Sequence, residues 1–132
     1  MRLEMTRKAD LACGAMVALS NAGGRAKAAE LATTLDSTSG YMPQVLGRLV
    51  EAGWVSSGIG PTGGYELVAD LDDVSVLAVV EAIDGPTDNG RCVVAGRRCN
   101  SAEPCGLHVA WASARTALLA ELAATPLSRL AT

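Results

Sequence analysis

Apolar residues recur at helical spacing over residues 4–22, with Met5, Leu11, Ala15 and Leu19 in step, and the pattern stops at Gly23-Gly24. It predicts a first helix over that span. KAAELATTL (27–35) predicts a short second helix, and DSTSG after it supplies turn and cap residues. YMPQVLGRLVEAG (41–53) predicts a third helix whose buried face is Val45, Leu46, Leu49 and Val50. Pro43 fits only a first turn, where its missing N–H costs nothing, so this helix begins at about Tyr41 or Met42. WVSSGIGPTGGYELV (54–68) changes period: two short β-type runs flank a Gly/Pro turn, which predicts a hairpin. SVLAVVEAIDG (75–85) predicts a fourth helix stopped by Gly85, whereas residues 86–104 follow neither period. From Pro104 or Cys105 to about Ala124 a long helix is predicted, with an apolar stripe of Leu107, Trp111, Leu118, Leu119 and Leu122. Thr125-Pro126 opens a last short turn.

Helix, helix, turn, helix and hairpin in that order predict a mainly α-helical fold, a winged helix-turn-helix with a small β-hairpin wing and a long C-terminal helix. The expected organisation is a DNA-binding domain over 1–84, a loop over 85–104, and the long helix with its terminal turn over 105–132. Thr38, Ser39, Tyr41 and Gln44 cluster at the start of the third helix, where an exposed polar face meets base edges in the major groove. Gln44 can pair with adenine, Ser39 or Tyr41 can reach phosphate, and Arg48 one turn on is placed for the backbone. The wing turn, with Thr62 and Gly63, is placed for backbone or minor groove. Polar residues at a helix start are also ordinary caps, and five packed helices with a surface hairpin would show the same pattern.

Composition changes this picture only in part. Alanine is abundant, Phe is absent, and there are two Trp and two Tyr, which suits a helical chain. The net charge of −3 lacks the basic excess of a generic nucleic-acid binder. The acidity is uneven, however. Residues 1–68 hold six basic and six acidic groups, and the remainder five and eight, so the first half can meet phosphate if its cations share a face. No apolar run is long enough to cross a bilayer. The start imitates a signal peptide, but Glu4 and Asp10 lie in the part that should be positive and no small-residue cleavage site follows. A cytoplasmic protein is expected, one in which clustered cysteines bind metal or sense redox state more often than they pair as structural disulfides.

The candidate chemistry lies in RCVVAGRRCNSAEPCGLHVAW (91–111). Cys92, Cys99, Cys105 and His108, the chain's only histidine, fall within seventeen residues of one another among Gly, Pro, Asn and Ser. Three thiolates and an imidazole at Cys-x6-Cys-x5-Cys-x2-His spacing can wrap a metal, with Cys105 and His108 expected on one face of the last helix's first turn. The long Cys–Cys intervals suit an iron–sulfur cluster better than the tight knuckles of structural zinc. Arg91, Arg97 and Arg98 would offset a cluster's negative charge and donate hydrogen bonds to sulfur. A zinc staple and unligated reduced thiols remain as alternatives, and His108 alone would be an ordinary cap or core histidine. With one histidine no nucleophile–base pair can be assigned, so an enzyme is not expected.

The order of elements, the start MRLEMTRKADLA, the wing GPTGGYELV, the stretch EAIDG and the run ending PCGLHVAW resemble the bacterial winged-helix regulators typified by IscR, NsrR and RirA, over nearly the whole chain. The resemblance implies a homodimer joined by the long C-terminal helix. It implies binding to palindromic double-stranded promoter DNA, with an iron–sulfur cluster that switches affinity or site choice. Cys92, Cys99 and Cys105 match the family's cluster cysteines. His108 matches the fourth ligand of the IscR type, a two-iron (2Fe-2S) site within one chain, and Asp10 stands where the NsrR type takes a carboxylate from the partner chain to complete a four-iron (4Fe-4S) site. The local match of PCGLHVAW favours His108 and two irons, although the first cysteine interval is one residue longer than in IscR. Tyr41 and Gln44 match helix positions of the family, and Arg7 and Lys8 match backbone contacts. Gly40 and Pro43 replace the Ser and Glu of IscR, and Ile59 replaces its wing arginine, which implies altered base readout and weaker, less salt-sensitive binding. Cys13 is expected in the core.

The combined expectation is a DNA-binding transcriptional regulator that senses redox, iron or nitric-oxide status through a bound cluster. A small iron–sulfur carrier or electron-transfer protein using the same loop is the rival from another class. A winged-helix regulator with a structural zinc site is the other alternative.

Overall fold

A computed structural model describes residues 1–38, 40–88, 90, 92–94 and 103–131. Among the described residues the elements run α1 (Arg7–Ala22), α2 (Ala28–Thr34), α3 (Met42–Glu51), β1 (Val55–Gly58), β2 (Gly64–Leu67), α4 (Val76–Asp84) and α5 (His108–Ala124). A terminal 3-10 turn, Leu127–Leu130, follows. The fold is mainly α, a winged helix-turn-helix with a two-stranded wing and a long C-terminal helix, as the hydrophobic pattern predicts.

The first helix begins three residues later than the apolar spacing suggests because Thr6 caps it: its hydroxyl accepts the Ala9 N–H at 3.1 Å. It ends at Gly23, whose φ of 67° is left-handed and whose N–H donates to the Ser20 carbonyl. Along its length Ala9, Ala12, Ala15, Met16 and Leu19 are buried. Small side chains on that face let neighbouring backbones come close, and α1 touches α2, α3, α4, β2 and the terminal turn. Gly14 serves the same end, since a Cβ there would lie 3.0 Å from a methyl of Leu35.

In α3, Pro43 occupies the first turn as predicted. Met42, Val45, Leu46 and Leu49 are fully buried at i, i+3, i+4 and i+7, and the opposite side leaves Gln44 and Arg48 exposed. The wing pairs antiparallel from Val55 with Leu67 to Gly58 with Gly64. A single bridge between Ala26 and Tyr65 fastens the α1–α2 connection to the wing, with N–H···O distances of 2.9 and 2.8 Å in the two directions. Ser75 caps α4 through the Ala78 N–H at 3.0 Å.

The last helix starts at His108, not at Pro104 or Cys105. Pro104 and Gly106 hold the preceding residues in a turn, in which the His108 N–H donates to the Cys105 carbonyl at 3.0 Å. None of the residues of α5 is buried. The chain then returns to the core. Leu127 is fully buried, its N–H donates to the Val74 carbonyl at 2.9 Å, and the Val76 N–H donates to the Thr125 carbonyl at 2.8 Å.

Leu127 thus fills the core under α1 and α4 from the far end of the chain. Leu127→Ala is expected to lower unfolding free energy by about 2–5 kcal/mol through lost burial and the cavity left behind, read as an earlier urea midpoint at unchanged slope.

Candidate functional site

Two groups of side chains carry the candidate chemistry, an exposed polar face around the helix-turn-helix and wing, and the cysteine segment after α4. On the first, Thr38 closes the turn into α3. Its hydroxyl and its carbonyl each accept the Tyr41 N–H at 3.2 Å, and the carbonyl also accepts the Met42 N–H. Thr38 is exposed while so engaged, Tyr41 is half-buried against the core, and Gln44 is exposed one turn into the helix. Ser39 lies outside the described residues. Arg48 is exposed on the Gln44 side and pairs with Glu51 at 3.6 Å, a solvent-screened contact of small energy that a phosphate can displace.

The wing carries Thr62 exposed at its turn and Ile59 almost wholly exposed, at 99%. Gly63 is buried there for a steric reason, because a Cβ would lie 2.6 Å from the Gly58 carbonyl oxygen. The strands themselves hold no lysine or arginine. A cation nevertheless sits at the wing base. Arg25, from the α1–α2 connection, lays its guanidinium against Gly58, where any side chain would collide with it. Sequence reasoning did not single out Arg25, because only the Ala26–Tyr65 bridge brings it to the wing.

At the start of α1, exposed Arg7 reaches across to the turn that precedes α3. Its guanidinium donates to the Asp36 carbonyl at 3.2 Å and the Leu35 carbonyl at 3.4 Å, both in the helix-turn-helix turn, and pairs with Asp10 at 3.5 Å. Lys8 beside it is half-buried. The Thr6 hydroxyl donates to the Asp84 carboxylate, 2.8 and 3.0 Å from its two oxygens, and so ties α1 to the end of α4. Asp10 is exposed and, with Cys13, Leu35 and Leu130, borders an open groove of about 620 Å³ between α1, α2 and the terminal turn. Cys13 is buried as expected, and burial, assisted by the Asp10 charge, pushes its thiol from 9.0 up to about 11.

The cysteine segment is anchored where it leaves α4. The Thr87 N–H donates to Glu81 of α4 at 2.8 Å, and Asp88 pairs with Arg115 of α5 at 3.4 Å. Beyond this, the Cys92 and Cys105 sulfurs lie 3.6 Å apart, and the Val94 N–H donates to the Cys92 sulfur at 3.4 Å. Both cysteines are half-buried. Cys105 and His108 share one tight turn, but only His108 is in the helix, so the expected common face of a first helical turn is not formed. Cys99 and Arg91, Arg97 and Arg98 lie outside the described residues. Among the described residues, no three of His, Cys, Asp and Glu converge as a metal-binding group, so Asp10 and His108 are not gathered with the two sulfurs into one. The sulfur pair itself fits a metal. Two thiolates on a tetrahedral ion at about 2.3 Å are separated by roughly 3.8 Å, close to the observed contact, for iron and zinc alike.

Comparison with known proteins agrees with this geometry. The sequence model of the Rrf2 family, described as iron-dependent transcriptional regulators, matches residues 5–132. The HTH-type transcriptional regulator IscR of Escherichia coli O1:K1 is 33% identical over 111 residues, 83% of this chain and 68% of the relative. CymR of B. subtilis, a global cysteine regulator, superposes with a TM-score of 0.77 at 25% identity, covering 98% of this chain and 97% of that one. IscR of T. potens shares the fold at a TM-score of 0.74 and 20% identity, over 97% and 85% of the two chains.

The buried thiol gives a pH signature. The folded chain keeps a proton that the unfolded chain gives up near pH 9, so the stability due to Cys13 is complete below pH 9 and lost as pH rises toward 11. Between those limits the protein is expected to lose about 2–3 kcal/mol more than its Cys13→Ala variant, measured by denaturant unfolding at each pH.

Proposed function

The chain belongs to the Rrf2 family of transcriptional regulators, and from that premise we propose that it is a dimeric, cytoplasmic DNA-binding sensor whose signal enters through an iron–sulfur cluster. As a family member it is a regulator and not an enzyme. The observation that carries the sensing proposal is the 3.6 Å approach of the Cys92 and Cys105 sulfurs at the foot of α5. Cys92, Cys99 and Cys105 are assigned as cluster ligands. His108 is the fourth in a two-iron site, with the partner chain's Asp10 the alternative in a four-iron site. A bound cluster supplies a centre that oxidants, nitric oxide or iron shortage can dismantle.

The residues of the chain then do the rest. Asp88–Arg115 and Thr87–Glu81 hold the segment to α5 and α4, so a change at the cysteines bears on both helices. Asp84 passes it to Thr6 at the start of α1, and Arg7 passes it to the turn before the recognition helix. The working division is DNA binding in 1–84, ligation in 85–104 and dimerisation in 105–132. A 17-residue helix without one buried residue, with Val109 76% and Leu118 48% exposed, supports a second copy as its cover. Two recognition helices then read the half-sites of a palindrome. Gln44 and Tyr41 face bases, with Thr38 and Ser39 at the same end. Arg48, Lys8, Thr62, Gly63 and Arg7 lie along the backbone path, to which we add Arg25. The same sulfur distance fits a zinc clamp, the one alternative this geometry favours.

Protein isolated without oxygen is expected to be brown, to contain iron and acid-labile sulfide, and to lose both in Cys92→Ala or Cys105→Ala. Zinc without sulfide would replace the sensor by the clamp. On DNA, Arg25→Ala is expected to reduce the salt dependence of log K by about two units of slope, one for each protomer of the dimer, and Ile59→Arg to raise it by a similar amount, by fluorescence titration across salt concentrations. Unchanged slopes would remove the wing from the phosphate path.

A further inference from the structure

The Cys92–Cys105 sulfur contact has a chemistry that needs no metal. Among the described residues, Cys92 lies outside any helix or strand and Cys105 sits in the turn before α5, so neither sulfur is held by a regular element. Closing 3.6 Å to a bond of about 2.05 Å asks for a shift of roughly 1.5 Å, and Gly90, at a φ of 74°, and Gly106 lie within two residues of the two cysteines. We infer that Cys92 and Cys105 form a reversible disulfide when the chain, without metal, meets a peroxide. One thiol gives up its proton and attacks hydrogen peroxide, which makes a sulfenic acid and releases one water. The second thiol displaces the sulfenic hydroxyl, the sulfur–sulfur bond forms, and a second water leaves. Each sulfur loses one electron, and the two peroxide oxygens gain them.

Selectivity follows from placement. Cys13 is 3% exposed inside α1, and burial pushes its thiol up to about 11, so it stays reduced under the same treatment. The bridge would join the segment after α4 to the foot of α5 across thirteen positions. If the cluster reading above is right, it would also withhold two ligands from reloading until a thiol reductant opens it.

The test uses the full chain, stripped of metal by chelation, reduced, and then treated with hydrogen peroxide. Trypsin cuts after Arg91, Arg97, Arg98 and Arg115 and leaves Cys99 and Cys105 on one peptide, so the assignment is made in Cys99→Ser. That variant is expected to give a cross-linked pair of peptides, residues 92–97 with 99–115, two hydrogen atoms lighter than their sum and separated by dithiothreitol. Cys13 should alkylate only after unfolding, which also reports that the variant is folded. Separate peptides bearing thiols or sulfinic acids would overturn the proposal. So would a wild-type bridge that fragmentation between Glu103 and Pro104 assigns to Cys99. Iron and sulfide content plays no part in this readout, so failure here leaves the cluster reading standing, and failure of the cluster leaves the bridge to be judged alone.

Discussion

The first turn of α1 ties the molecule together. Thr6 caps the helix through the Ala9 N–H and donates to Asp84 at the end of α4, while Arg7 reaches the carbonyls of Leu35 and Asp36 in the turn before the recognition helix. Exposed hydrogen bonds of this kind contribute about 0.5–1.5 kcal/mol each, so they set register more than they supply stability. The larger energy is packing. Ala9, Ala12, Ala15 and Met16 are fully buried in the middle of the fold, and close-packed interiors shift as bodies and do not stretch. A displacement of α4 therefore moves α1 or breaks its contacts. This joint is where the proposed signal from the segment after Asp84 would enter α1.

The C-terminal part of the chain shows the opposite condition. Among the described residues there, only Leu127, beyond α5, is fully buried, and it fixes the end of the chain to the core. The long helix is left with an apolar stripe of half-covered side chains and touches mainly α4. This is the physical basis for the proposal that the helix joins a dimer.

Much of this was legible in the residues. Pro43 set the start of α3 within its first turn, Gly23 and Gly85 set the ends of α1 and α4, and the Gly/Pro turn set the wing. Each is a local rule with one dominant cause. The beginning of α5 was misjudged because PCGLH reads as a helical start, whereas Pro104 and Gly106 favour a turn and no side chain caps the helix before His108. At the site, the Cys92 and Cys105 sulfurs lie 3.6 Å apart, and Asp10 and His108 do not complete a metal-binding group with them among the described residues. A ligand that enters from a second chain cannot form such a group in one. Arg25 was invisible because nothing in its neighbourhood marks it; a single bridge between distant backbones carries it to the wing.

The proposed design has the cysteine turn as metal ligand beside a helix that a second copy covers, linked through α4 and α1 to the helix assigned to DNA. Its central claim is coupling between those sites. The most direct measurement is the affinity of one protein preparation for its promoter site with the cluster loaded and again with it removed, at fixed salt. Coupling between sites of this kind is worth 1–3 kcal/mol, so the two dissociation constants are predicted to differ by about 5–150-fold, or the footprint to change. Equal affinity and an identical footprint in the two states would contradict the account.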